Sequence, residues 1–176
     1  MAIDESRTFK PINIAVLTVS DTRTPETDSS GDILAARVTG AGHTLAARTI
    51  VKDDAAVLAA QFDAWIDDPQ IDAIVSTGGT GLTGRDVTPE AFSRIEGARD
   101  IPGFGELFRW LSYKTIGTST VQSRACAIVA RGTYLFALPG SNGAVKDGWD
   151  GILAEQLDSR NRPCNFVELM PRLTEV

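Results

Sequence analysis

Residues 71–86 read IDAIVSTGGTGLTGRD, and this stretch decides the fold. Ile71 to Thr77 is short, apolar and rich in β-branched residues, as expected of a strand buried on both faces of a parallel sheet. It runs directly into Thr77-Gly78-Gly79-Thr80-Gly81. A strand that ends in a glycine loop suits an open α/β sheet, where ligands bind beyond the carboxyl ends of the strands. Glycines let the backbone reach positive φ and approach a ligand closely. Successive N–H groups can then wrap a phosphate, with Thr77 and Thr80 as hydroxyl donors. No Gly-Lys-Ser/Thr ending follows, and the G-x-G-x-x-G spacing is absent, so neither common nucleotide loop fits. The alternative is a tight glycine turn with no ligand.

Working outward, the same alternation recurs. Ile12 to Ser20 (INIAVLTVS) is a second continuous apolar run, and Thr44 to Val51 a third strand. Between them a helix carries Ile33, Leu34 and Val38 on one side, with Ser29 or Ser30 as cap. Asp53 or Asp54 caps a helix bearing Val57, Leu58, Phe62, Trp65 and Ile66. Thr88-Pro89 starts another, with Thr88 as cap. A further helix lies within Pro102 to Lys114, after a turn at Gly103-Phe104-Gly105. Ala125 to Ala130 and Thr133 to Leu138 are strands joined by the tight Arg131-Gly132 turn, and a last helix runs from about Asn142 to Asp158. The pattern predicts an α/β fold: three α/β/α layers about a mostly parallel sheet that the late strand pair makes mixed. We expect one domain over 1–176, with a loose N-terminal arm at 1–11 and a C-terminal tail at 160–176.

The 176 residues carry a net charge of −6. A nucleic-acid binder needs a basic face, so that class is disfavoured. Residues 1–10 have no apolar stretch to act as a leader, and no run reaches membrane-spanning length; the expected compartment is the cytoplasm, with no membrane partner. Cys126 and Cys164 make neither a disulfide framework nor a zinc motif.

If the strands are parallel, three strand ends meet on one edge: Ser20-Asp21, Thr77 to Asp86, and Pro139-Gly140-Ser141. Asp86 beside a bound phosphate makes sense with a cation between them, and magnesium takes such oxygen ligands. Asp86 could equally serve the dipole of the following helix. Asp53 occupies a similar position, with a plain helix cap as its alternative. Ser123-Arg124 could clamp a terminal phosphate or lie in a solvated loop. Arg85 and Lys146 are candidate phosphate cations or ordinary surface charges. His43 has no partner pattern and reads as structural. Phe104, Phe108, Trp110 and Trp149 read as core or subunit contact.

Ser76-Thr77-Gly78-Gly79-Thr80-Gly81 together with Asp86-Val87-Thr88-Pro89-Glu90-Ala91 resembles the signature of the MoaB/MogA family of molybdenum-cofactor biosynthesis proteins. Leu17 to Asp21, Pro102 to Glu106, Ser123-Arg124 and Leu138 to Ser141 resemble its other loops. Gly117 to Arg124 and Arg162 to Phe166 resemble the MoaB branch. The resemblance implies a molybdopterin-binding fold and MgATP-dependent adenylylation of molybdopterin. It implies a trimer or hexamer, and hand-over to a molybdenum-insertion enzyme. By motif, the catalytic and metal-holding aspartates of relatives fall on Asp53 and Asp86. A non-catalytic pterin-binding or scaffold protein is the alternative. One departure stands out: Asn142-Gly143 follows Pro139-Gly140-Ser141 where many relatives carry proline and lysine, so no residue is obvious as the cation for the nucleotide phosphates.

Overall fold

The computed structural model describes residues 3–175; Met1, Ala2 and Val176, at the outer ends of the expected arm and tail, lie outside the described residues. The elements in chain order are β1 (Asn13–Val19), α1 (Ser29–Gly40), β2 (Thr44–Val51), α2 (Ala55–Ile66), β3 (Ala73–Thr77), α3 (Thr88–Phe92), β4 (Arg99–Asp100) and α4 (Pro102–Ile116). A 3-10 segment, Gly117–Gln122, leads to β5 (Cys126–Ala130), β6 (Thr133–Leu138) and α5 (Asn142–Gly148). A widened turn, Trp149–Leu153, joins α5 to α6 (Ala154–Gln156), and α7 (Phe166–Leu169) follows.

The strands form one sheet in the order β2-β1-β3-β6-β5-β4. β2, β1, β3 and β6 run parallel, while β5 is antiparallel to both β6 and β4. β1, β3 and β6 are central, and their apolar runs are buried on both faces for that reason. On one face α1, α4, α5 and the widened turn close over Val16, Val75, Phe136 and Leu138. On the other, α2 and α3 cover Leu17, Ile74, Leu135 and Ala137. Removing one such buried leucine or phenylalanine from water stabilises the fold by about 1.5–3 kcal/mol. The three-layer, mostly parallel architecture is the one expected.

Several local expectations change. Asp28, not Ser29 or Ser30, caps α1, and of the two candidates Asp54 caps α2 through Ala56 and Val57 N–H. Thr88 does not cap α3; its hydroxyl donates to the Gly78 carbonyl at 2.9 Å and so ties α3 to the glycine loop. Gly103-Phe104-Gly105 lies inside α4. The last helix runs unbroken from Asn142 to Gln156 but widens over Trp149–Leu153, where Gly148 and Gly151 let the chain press against Leu138 and Leu111.

The described part of the N-terminal arm is not loose. Ile3 bridges Asn161, Asp4 N–H donates to the Arg160 carbonyl at 3.0 Å, and Lys10 N–H donates to Ser159 Oγ at 2.8 Å. Arg7 pairs with Glu168. Polar residues that read as a solvated arm serve here as backbone partners for the tail.

Candidate functional site

β1, β3 and β6 deliver three loops to one edge of the sheet. The glycine loop lies between the other two. Gly78 N–H donates to the Leu138 carbonyl at 2.9 Å, and Thr77 Oγ1 donates to the Pro139 carbonyl at 3.1 Å. The backbone has φ +108° at Gly78 and +65° at Gly79. A side chain at Gly78 would put Cβ 2.3 Å from the Val19 carbonyl oxygen. The loop therefore needs glycine for its own packing as well as for any ligand.

Two clefts meet at this loop, and a third adjoins the first. One of about 400 Å³ is lined by Thr18, Arg23, Ser30, Thr77–Gly81, Asp86 and Pro139–Ser141. A second of about 270 Å³ shares Thr80, Gly81, Pro139 and Ser141 and extends over Phe108, Ile116, Ser119, Ser123 and Asp147. A third of about 620 Å³ shares Arg23 with the first and extends along Ser20, Asp21, Arg48 and Lys52. Thr80 Oγ1 is buried and has no hydrogen-bond partner among the described residues, although it borders the first two clefts. Buried hydroxyls are nearly always bonded, and the exceptions concentrate where a ligand or water belongs.

The candidate residues fall into place unevenly. Thr77 and Thr80 were expected to donate to a ligand together; only Thr80 has its hydroxyl free, since Thr77 spends its own on Pro139. Ser20 Oγ accepts from Thr22 and Arg23 N–H and shapes its turn. Asp21 pairs with Arg85 across the cleft mouth, which uses up one candidate cation. Lys146 is exposed on α5. Ser141 caps α5 through Ala144 N–H. Ser123 lines the second cleft. Arg124 turns inward: Nε donates to the Gly81 carbonyl at 2.7 Å, and Nη1 and Nη2 meet Glu90 and the Asp86 carbonyl. It braces the glycine loop.

Asp86 Oδ2 accepts from Thr83 N–H at 2.9 Å and Thr83 Oγ1 at 2.7 Å. Burial works against its charge, yet these bonds and the Gly81 N–H outweigh it and hold its carboxyl below the usual range. Asp53 moves the other way: burial, then the nearby charge of Asp86, push it up. Asp86 lines the hydroxyl- and amide-lined first cleft, and Asp53 lies near enough to feel its charge; carboxylate oxygens of this kind suit magnesium. Among the described residues no group of three acidic, histidine or cysteine side chains could hold a metal unaided. The remaining ligands would be phosphate and water oxygens, which is the usual state of magnesium with a nucleotide.

Sequence reasoning missed the polar knot behind the clefts. Asp28 is fully buried. It accepts from Thr18 Oγ1 and Arg48 Nη2, each at 2.8 Å, from Gly31 N–H at 3.0 Å and from Arg23 Nη1 at 3.3 Å. Burial opposes its charge, but the bonds from Arg48, Thr18 and Gly31 win and lower its pKa. The one available signal was an aspartate just ahead of Ser29-Ser30 in a cap position. Nothing in the spacing pointed to Arg23 or Arg48.

A family profile described as a probable molybdopterin binding domain matches residues 15–159, from β1 to just past α6. The chain belongs to the MoaB/MogA family of molybdenum-cofactor biosynthesis proteins. It is 48% identical over 161 residues to molybdenum cofactor biosynthesis protein B of Escherichia coli (strain K12), covering 92% of this chain and 94% of that one. A crystal structure of a molybdenum cofactor biosynthesis protein B superposes with a TM-score of 0.84 at 36% identity, over 95% of this chain and 98% of that one. A MogA structure superposes with a TM-score of 0.73 at 29% identity, over 92% and 99%. MoaB/MogA membership thus rests on the whole sheet, and the glycine loop sits inside the matched span. No helix among the described residues is long and apolar enough to cross a membrane.

Proposed function

We propose that this protein binds molybdopterin and joins it to the adenylyl group of ATP. The observation that carries this reading is the unpartnered, buried Thr80 hydroxyl at the seam between two clefts that share the glycine loop. A ligand phosphate on Gly78–Gly81 would satisfy it. In this reading the pterin lies in the second cleft, where Phe108 and Ile116 supply an apolar surface and Asp147 an acceptor for ring N–H groups.

The chemistry asks little covalent work of the chain. An oxygen of the pterin's terminal phosphate attacks the α-phosphorus of ATP. A new P–O bond forms, the bond between the α-phosphorus and the bridging oxygen breaks, and pyrophosphate leaves with that electron pair. Catalysis is then mostly positioning and charge neutralisation. Asp53 and Asp86 would hold magnesium, which when bound offsets phosphate charge. The glycine-loop N–H groups orient the pterin phosphate, and no nucleophilic side chain is needed. Cytoplasmic location, self-association and hand-over of the product to a molybdenum-insertion enzyme go with this reading. An exposed apolar stripe of Leu107, Trp110 and Tyr113 on α4 supports self-association.

One observation favours a second reading, a pterin-binding scaffold without turnover: Asp86 already spends Oδ2 on the loop's own donors. The test is AMP transfer from radiolabelled ATP to molybdopterin with magnesium. Formation of adenylylated pterin and pyrophosphate supports the enzyme; tight pterin binding with neither product would leave the scaffold.

A further inference from the structure

Arg23 stands on the wall between the 400 Å³ and 620 Å³ clefts and lines both. Its guanidinium is fixed from three sides. Nη1 meets the buried Asp28 carboxylate at 3.3 Å and also Ser30 Oγ, and Nη2 donates to the Gly140 carbonyl at 2.9 Å. The last bond joins the β1 loop to the β6 loop, across the edge on which the glycine loop lies. Asp28 does not belong to Arg23 alone, because Arg48 Nη2 bonds its other oxygen at 2.8 Å. Two guanidinium groups thus share one buried carboxylate. The carboxylate that would balance the second, Asp32, is exposed and so largely screened by water. Lys52 adds a further cation to the same wall. Asp21 lines the larger cleft as well but is engaged by Arg85, and Asp86 lines the smaller one. Arg23, Arg48 and Lys52 thus bring three cations to the larger cleft, where the buried Asp28 is shared and Asp21 is taken by Arg85.

We propose that Arg23 is the residue that grips the nucleotide's phosphates, filling the role left open by Asn142-Gly143 after the β6 loop. The assignment rests on the nucleotide reading above. Arg23 is held in a fixed fork, so little ordering remains to be done when a phosphate arrives. Its Nε–H has no protein partner among its hydrogen bonds. Arg48 is a positioning residue here: it shares Asp28 and keeps the carboxylate from cancelling Arg23 completely.

The experiment is calorimetric binding of MgATP, and separately of inorganic pyrophosphate, to wild type, Arg23→Gln and Arg23→Lys. A charge-assisted contact of this kind predicts roughly 10–100-fold weaker binding of both probes in Arg23→Gln. Arg23→Lys should recover part of that loss, because the charge remains while the fork is gone. Wild type should also lose affinity with added salt more steeply than Arg23→Gln. Equal losses in the glutamine and lysine variants would mean that only the tie to Gly140 matters, and would overturn the assignment; so would unchanged affinity in Arg23→Gln. If wild type binds pyrophosphate through Arg23 but takes no MgATP, the phosphate grip stands and the nucleotide reading falls. Circular dichroism of each variant separates loss of binding from loss of fold.

Discussion

Arg124 Nε donates to the Gly81 carbonyl oxygen at 2.7 Å, so an arginine that enters β5 holds the far end of the loop that leaves β3. Arg124 N–H reinforces this by donating to the Thr80 carbonyl at 2.8 Å. The glycine loop is therefore clamped at both ends, by Thr88 on the Gly78 carbonyl and by Arg124 on Gly81. Replacing Arg124 with methionine should leave the Gly81 and Asp86 carbonyls without their partner. The expected loss is about 1–3 kcal/mol in urea unfolding, with faster amide exchange confined to residues 78–86. Unchanged exchange in that segment would show that the arginine is not a brace.

Gly79 has a narrower tolerance than its loop position suggests. Its φ is +65°, and an added Cβ would stand 2.4 Å from Thr88 Oγ1. Gly79→Ala should cost about 1–3 kcal/mol in thermal unfolding, from the left-handed backbone and the displaced hydroxyl. The double variant with Thr88→Ala should recover part of this, because the clash goes while the backbone strain stays.

Asp28 makes a pH prediction. Its folded pKa lies below its unfolded value of about 3.8. The stability it contributes is therefore complete above that unfolded value and is lost as pH falls through the lower folded value. Asp28→Asn should lower stability at neutral pH by about 3–5 kcal/mol, since two guanidinium groups lose their buried counter-charge. Below pH 4 the variant and wild-type curves should converge. Parallel curves down to the acid limit would contradict the ion-pair account.

Asp53 and Asp86 should titrate as neighbours. Burial raises Asp53 first, and the charge of Asp86 adds to it. Asp86→Asn should move the Asp53 carboxyl part of the way back toward its ordinary value, followed by carbon-detected NMR titration. The same substitution should lower AMP transfer by about 100-fold or more if the pair neutralises phosphate charge. Full transfer activity in Asp86→Asn would remove it from the reaction.

The exposed stripe on α4 yields an assembly prediction. Trp110 is 59% and Tyr113 58% exposed, and the two are three residues apart on one helical face. Trp110→Glu with Tyr113→Lys should reduce the assembly mass in light scattering while leaving far-ultraviolet dichroism unchanged. A monomeric wild type would end this argument.

The sheet was legible because its central strands are apolar on both faces, and IDAIVST can bury itself no other way. The glycine loop was legible because three of its four residues after Thr77 are glycine. What stayed hidden depends on residues far apart in sequence. Arg124 looked like a phosphate clamp because its distance from Gly81 in space cannot be read from the chain. The knot of Thr18, Asp28 and Arg48 joins β1, the cap of α1 and β2, and no one of these residues points to the other two. Capping was misjudged for a related reason: Ser29, Ser30 and Thr88 all have capping chemistry, but Asp28 took the first role and Gly78 claimed the Thr88 hydroxyl.

A sheet whose strands all point one way offers its ligand edge only places where the chain departs. Here β5 runs opposite to β6, so one strand is entered at that edge, and Ser123-Arg124 arrive as an approach. The hairpin that reverses direction, Arg131-Gly132, has φ +49° and +97° and lies at the other end of these strands. Pairing of β5 with β6 fixes how far Arg124 extends toward Gly81, and a slip of one residue would turn alternate side chains to the opposite face. The tightness of a two-residue turn thus sets, a full strand length away, whether the glycine loop is braced. Substitutions in that turn belong among the changes to be watched when the activity of this protein drifts with no alteration near its clefts.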